Sequence, residues 1–131
     1  MSKHPLPNGR STFIGQEKSI AGLPWNHHPI YTGVSMKHLV TDAETVGQLS
    51  LHLVGIAPGH AIGEHMHSTQ WELHQVLEGS GEAVLEGKRI TYATGTVCTI
   101  PVGIKHEVFA GCDGMLLLAT FSPPLARRLS S

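Results

Sequence analysis

The stretch Gly59–Gly79, GHAIGEHMHSTQWELHQVLEG, decides the reading of this chain. It sets His65 and His67 two apart, places Glu72 shortly after them, and closes on a second glycine. In an extended strand, residues two apart share a face and lie roughly 6–7 Å from one another, so both imidazoles lean toward one ion while Met66 points away. Ser68, Thr69 and Gln70 then make a short reversal, and Trp71 to Leu77 reads as a returning strand that brings Glu72 beside the histidines. Two neutral nitrogens and one carboxylate leave open positions on an ion for substrate or dioxygen. A further ligand is expected from elsewhere in the chain.

Gly95 to Ala110, GTVCTIPVGIKHEVFA, supplies it. Pro101 and Gly103 read as a tight turn, and His106 opens the strand that follows. Together the two stretches resemble the cupin family. Its first motif, a glycine, five residues, His-x-His, three or four residues, Glu, six residues and Gly, is matched by Gly59, His65, His67, Glu72 and Gly79. Its second, a glycine, five residues, Pro-x-Gly, two residues, His, three residues and Asn, is matched by Gly95, Pro101, Gly103 and His106. Ala110 stands where that family has Asn, and Thr96 replaces a common Asp. The motifs and the segment between them cover about forty per cent of the chain. The resemblance implies an all-β fold, a double-stranded β-helix barrel of two antiparallel sheets of the jelly-roll type. It also implies one divalent transition metal per chain on His65, His67, Glu72 and His106. Iron, manganese, nickel and zinc each suit such a set, and copper and cobalt can use it too.

The rest of the chain bounds this reading. At 131 residues it is one domain, large enough to fold without staples. Its formal charge is −1 and only 15% of residues are charged, which argues against a nucleic-acid partner or an acidic membrane surface. Cys98 and Cys112 are too few for a disulfide scaffold and are expected as reduced thiols. The start, MSKHPLPNGR, has prolines where a signal peptide needs an apolar run, and Met115 to Ala119 is far too short to span a membrane. A soluble, cytoplasmic protein is expected.

Residues 1–30 hold four prolines and no sustained periodicity, and are read as an extended N-terminal arm. Trp25 is expected to anchor it on the barrel or on a second subunit, and His27 and His28 are expected to be polar surface residues. A cupin of this size commonly pairs through sheets and exchanged N-terminal strands, so the resemblance and the arm together imply a homodimer. Residues 31–122 form the barrel, with strands expected near 34–41, 48–56, 62–67, 70–78, 82–86, 89–93, 97–101, 106–110 and 114–121. Gly79-Ser80-Gly81 and Glu86-Gly87-Lys88 read as turns. Residues 123–131 form a tail that leaves the sheet at Pro123 and Pro124 and makes at most one helical turn.

Strand parity extends the site. If Glu72 faces inward, so do His74 and Val76, while Trp71, Leu73 and Gln75 face outward. Val76, Ile100 and Val108 are expected as apolar cavity walls, and Cys98 as an inward thiol that packs as a small hydrophobe. His52 competes with Leu51 and Leu53 for the interior. His74 is the candidate catalytic residue, since imidazole exchanges protons near neutral pH and the ligand histidines are occupied by the ion. The alternative is that His74 orients Glu72 from outside the ligand shell. Function divides accordingly. One reading is a metal-dependent enzyme on a small organic molecule, either an oxygenase or a lyase or isomerase. The other is a binding or sensor cupin that holds a small ligand without turning it over.

Overall fold

The computed structural model describes residues 3–125, so the tail reading beyond Leu125, including Arg127-Arg128, lies outside the described residues. Ten strands follow in order: β1 Arg10–Phe13, β2 Gln16–Ser19, β3 Asn26–His27, β4 Val34–Val40, β5 Ser50–Ile56, β6 Ala61–His65, β7 Trp71–Leu85, β8 Lys88–Ala93, β9 Val97–Ile100 and β10 His106–Ser122. A short helix, α1 (Asp42–Thr45), sits between β4 and β5, started by a reciprocal capping box of Thr41 and Glu44.

The fold turns on two long strands. β7 and β10 pair antiparallel along most of their length, but the register slips between Ala110 and Met115, where Gly111–Gly114 bulges opposite Ser80. Before the slip, His106 to Ala110 pairs with β6 and with the second half of β7, which also carries β8. After it, Met115 to Phe121 pairs with β5, and β4 and β3 extend that side. The first half of β7 carries β9. Two antiparallel sheets therefore face each other and share bent strands, which is the jelly roll.

Two expected strand pairs, 70–78 with 82–86 and 106–110 with 114–121, are thus single bent strands. Gly79-Ser80-Gly81 is the corner of β7 and not a turn. A Cβ on Gly79 would collide with the Gly114 carbonyl, and one on Gly81 with that of Phe109, so the strands can cross here only on glycine. The hairpin at Glu86-Gly87 stands as read: φ is 49° and 79° at these residues, the left-handed pair that a two-residue turn needs.

Between the sheets lies one apolar cluster, including Val34, Met36, Val54, Val76, Tyr92, Ile100, Val108, Leu117 and Phe121. A second cluster lies on the outer face of β4, β5, β10 and β7, where Leu39, Leu53, Leu77 and Leu118 are covered by Ile20. The arm is therefore more ordered than its composition suggests. It forms a hairpin of β1 and β2 and then strand β3, and Lys37 Nζ donates to the Ile20 carbonyl at 2.9 Å. Trp25 lies against Gly55 on the barrel, with Lys37 Nζ 5.0 Å from its ring. Both cysteines are free, Cys98 buried and Cys112 exposed. No helix among the described residues is long and apolar enough to cross a membrane.

Candidate metal centre

The jelly roll brings β6, the loop after it, β7 and β10 to one point. His65 ends β6, His67 follows it in the loop, Glu72 is the second residue of β7, and His106 opens β10. One ligand atom from each lies within 4.8 Å of the other three, a group that could hold a metal ion. The rings of His65 and His106 approach to 4.2 Å between centroids, those of His65 and His67 to 5.0 Å.

The ring orientations suit coordination. His65 Nδ1 donates to the Gly63 carbonyl at 2.7 Å and His106 Nδ1 to that of Ile104 at 2.9 Å. In the neutral rings that assignment leaves Nε2 as a lone pair facing the centre. Glu72 Oε1 lies 3.2 Å from His106 Nε2 and 3.3 Å from His67 Nε2. Neither Glu72 Oε1 nor His106 Nε2 has a hydrogen-bond partner, although both are buried. Leaving such groups unsatisfied costs about 1–3 kcal/mol each, and a shared cation would satisfy both. The donor set therefore fits a divalent transition metal.

Electrostatics support this. Burial pushes the Glu72 carboxyl up, but the charge of His74 and the close approach of His106 and His67 outweigh it and hold Glu72 well below the usual carboxylate range. Burial lowers the His65 imidazole. Burial also works against the proton on His106, yet contact with Glu72 and the Ile104 carbonyl raises it overall.

His74 is buried where strand parity placed it, on the face of Glu72 and Val76. Both of its ring nitrogens are engaged. Nε2 meets Glu72 Oε2 at 2.6 Å, and Nδ1 meets the hydroxyl of fully buried Tyr92 at 2.9 Å. His52 also faces the interior, because Leu53 belongs to the outer cluster and Leu51 packs against it. It lies behind the site, edge-on to Phe121 at 5.6 Å, and Phe121 in turn meets His67 at 5.1 Å.

A cavity of about 200 Å³ opens on the cluster. It is lined by His65, His67, Glu72 and His74, by apolar residues from Val34 to Leu125, and by His28, Ile30 and Tyr31. Two expectations need correction here. Val76 and Ile100 pack in the core and do not reach this cavity, whereas Val108 does. His28 is half-buried and, beyond the polar surface role expected for it, forms part of the cavity wall. Sequence reasoning missed His28 and Tyr31, since only the turn of residues 28–34 carries them over the barrel mouth. A wider depression of about 630 Å³ lies elsewhere, by Lys3, His4 and Gly79, away from the cluster.

A two-sheet antiparallel barrel with this cluster at its mouth is the architecture of a cupin-type metal centre. Residues 52–119, just over half of the chain, match the family model described as Cupin domain, and the chain belongs to the cupin family. Over 88 residues it is 30% identical to dimethylsulfoniopropionate lyase DddW of Ruegeria pomeroyi, covering 66% of this chain and 57% of the relative. Over 76 residues it is 28% identical to an oxalate-binding protein of Thermotoga maritima, covering 57% of this chain and 63% of the relative. The chain thus spans about three fifths of the length of these curated relatives. Among solved structures it resembles KdgF from Halomonas sp., with a TM-score of 0.74, 21% identity and coverage of 91% and 97% of the two chains. It also resembles an RmlC-like cupin from Shewanella frigidimarina, with a TM-score of 0.70, 21% identity and coverage of 90% and 95%. At such identities these structures speak for the fold alone.

Proposed function

We propose that this protein binds one divalent transition metal on His65, His67, Glu72 and His106 and is an enzyme acting on a small carboxylate in the barrel cavity. The observation that carries this is the pair of buried, unpartnered atoms, Glu72 Oε1 and His106 Nε2, within a four-residue ligand cluster that opens on an apolar cavity. Iron, manganese, nickel and zinc suit the donors. When bound, the ion would act as a Lewis acid on a carboxylate or carbonyl oxygen. The cavity is smaller than the roughly 300–1,000 Å³ of drug-sized sites, so the ligand is small. Among the described residues no Lys or Arg lines it, so there an anionic head has only the metal centre to meet.

The lyase or isomerase branch is favoured over the oxygenase by similarity to a lyase whose named substrate is a carboxylate. Such chemistry needs a group to take a proton. Outside the candidate ligand cluster, the titratable side chains on the cavity are, among the described residues, His28, Tyr31 and His74. His74 is held at both nitrogens, which supports its role as the partner that orients Glu72. The Tyr31 hydroxyl has no hydrogen-bond partner among the described residues, and its ring lies 6.2 Å from that of His65. Tyr31 is therefore the proton carrier of this reading.

The test loads the protein with each metal, measures occupancy by elemental analysis, and follows short-chain carboxylates by proton NMR for turnover. Tyr31→Phe is expected to lower turnover about 10²-fold with metal content retained. Turnover unchanged in this variant would remove Tyr31 from the reaction. The second reading, a binding cupin, is favoured by the oxalate-binding relative, and carboxylate binding without turnover for any metal would select it.

A cytoplasmic homodimer completes the proposal. Trp71 and Leu73 on β7 and Val97 on β9 share an outward face and remain exposed. Light scattering is expected to give twice the chain mass, and Leu73→Lys to shift it toward the monomer; a monomeric wild type would contradict this.

A further inference from the structure

The turn of residues 28–34 does more than close the barrel mouth. It is held by His28 N–H donating to the Val34 carbonyl at 2.8 Å and Val34 N–H donating to the Tyr31 carbonyl at 3.3 Å. Inside it, His28 Nδ1 accepts two backbone donors, Ile30 N–H at 3.1 Å and Tyr31 N–H at 3.3 Å. A nitrogen that accepts from two amide N–H groups cannot also carry a proton, so the ring is the neutral tautomer with its proton on Nε2. The His28 ring packs against that of Tyr31 with 4.7 Å between centroids and a 37° tilt, and Tyr31 has room because Gly63 presents no Cβ to its ring edge. With Nδ1 turned back into the turn, Nε2 is the polar atom that His28, a wall residue of the cavity, has left for a ligand, and no described residue accepts its proton.

We infer that His28 is a specificity-determining residue: a fixed hydrogen-bond donor that selects ligands bearing a neutral acceptor at the end remote from the metal centre. This rests on the reading above, in which the ligand's carboxylate meets the metal. The remote acceptor is neutral, such as a ketone, ether or amide oxygen, because among the described residues no Lys or Arg lines the cavity to receive a second anionic group. Protonation of His28 would set a second N–H against the two backbone donors, and burial lowers its pKa further, so the donor keeps one form at neutral pH.

The experiment compares two probes of similar size, pentanoate and 4-oxopentanoate, by calorimetry on the zinc-loaded protein. The wild type is expected to bind the ketone about five- to tenfold more tightly, the worth of one hydrogen bond. His28→Phe keeps a ring beside Tyr31 but removes the acceptor of the Ile30 and Tyr31 N–H groups, so pentanoate is the reference for any change in the turn, and the ratio of the two affinities is expected to fall to about one. A ratio preserved in His28→Phe overturns the proposal, as does tighter wild-type binding of the cationic 5-aminopentanoate than of the ketone. If neither carboxylate binds although metal analysis shows one ion per chain, the carboxylate reading fails and this inference fails with it. A measurement on the unmodified, metal-free chain needs no variant. Two-bond proton–nitrogen correlation at pH 7 is expected to show His28 Nδ1 bare and Nε2 protonated, and the reverse tautomer would overturn the assignment.

Discussion

His106→Ala is expected to lose metal affinity by more than the roughly 10–100-fold that removal of an outer partner costs, because it deletes a candidate ligand whose buried Nε2 has no hydrogen-bond partner. The effect should also appear in stability. An ion at 100 times its dissociation constant stabilises a folded protein by about 2.7 kcal/mol, so wild-type melting should rise clearly with metal while that of His106→Ala barely moves. His74→Gln tests the layer behind. His74 meets Glu72 Oε2 and is itself held by Tyr92, so this variant should weaken metal binding about 10–100-fold without abolishing it. Uptake should weaken as pH falls, since the raised His106 binds a proton that must leave before its nitrogen can coordinate. Equal metal content and equal metal-induced stabilisation in wild type and His106→Ala would refute the site.

The candidate ligands were legible in the sequence because each has a local reason. His65 ends a strand and His67, expected on that strand, follows it in the loop, while Glu72 and His106 each stand at or next to the start of one. The parity of β7 was legible too, with Glu72, His74 and Val76 buried and Trp71, Leu73 and Gln75 exposed. Failures occurred where long-range geometry overrides local chemistry. Gly79 and Gly81 carry the composition of a turn, but the carbonyls of Gly114 and Phe109 on β10 are what demand glycine there. His27 and His28 are adjacent and look alike, yet His27 points outward from β3 to Ser35 while the turn after it folds His28 onto the cavity. Val76 and Ile100 have the right parity for the interior but sit too deep in the core to line the cavity. Parity assigns a face, not a depth.

Metal-free protein is expected to lose about 3 kcal/mol of stability between pH 6.5 and pH 4, and His52 is the cause. Its Nδ1 meets His38 Nδ1 at 2.9 Å and its Nε2 meets the Ser50 hydroxyl at 2.8 Å, while that hydroxyl accepts the Leu125 N–H. Burial, reinforced by the neighbouring His38 and only partly opposed by Glu72, pushes the His52 imidazole down to about 4. The unfolded chain takes up this proton near pH 6.5, whereas the folded chain refuses it until about pH 4. The stability that depends on a neutral His52 is therefore fully present above pH 6.5 and drains as pH falls through that window. The lowered histidines His28 and His65 act in the same direction, whereas the raised His106 acts oppositely, losing stability as pH climbs through its folded pKa. Glu72, held low, adds its loss only below the ordinary carboxylate range. Urea unfolding at pH 7.5 and 4.5 measures the difference. His52→Gln, which can still accept from Ser50 and donate to His38 but does not titrate, should remove most of it. An equally steep loss in that variant would move the acid sensitivity to the candidate ligand cluster, and metal, which protons displace as pH falls, would then steepen it.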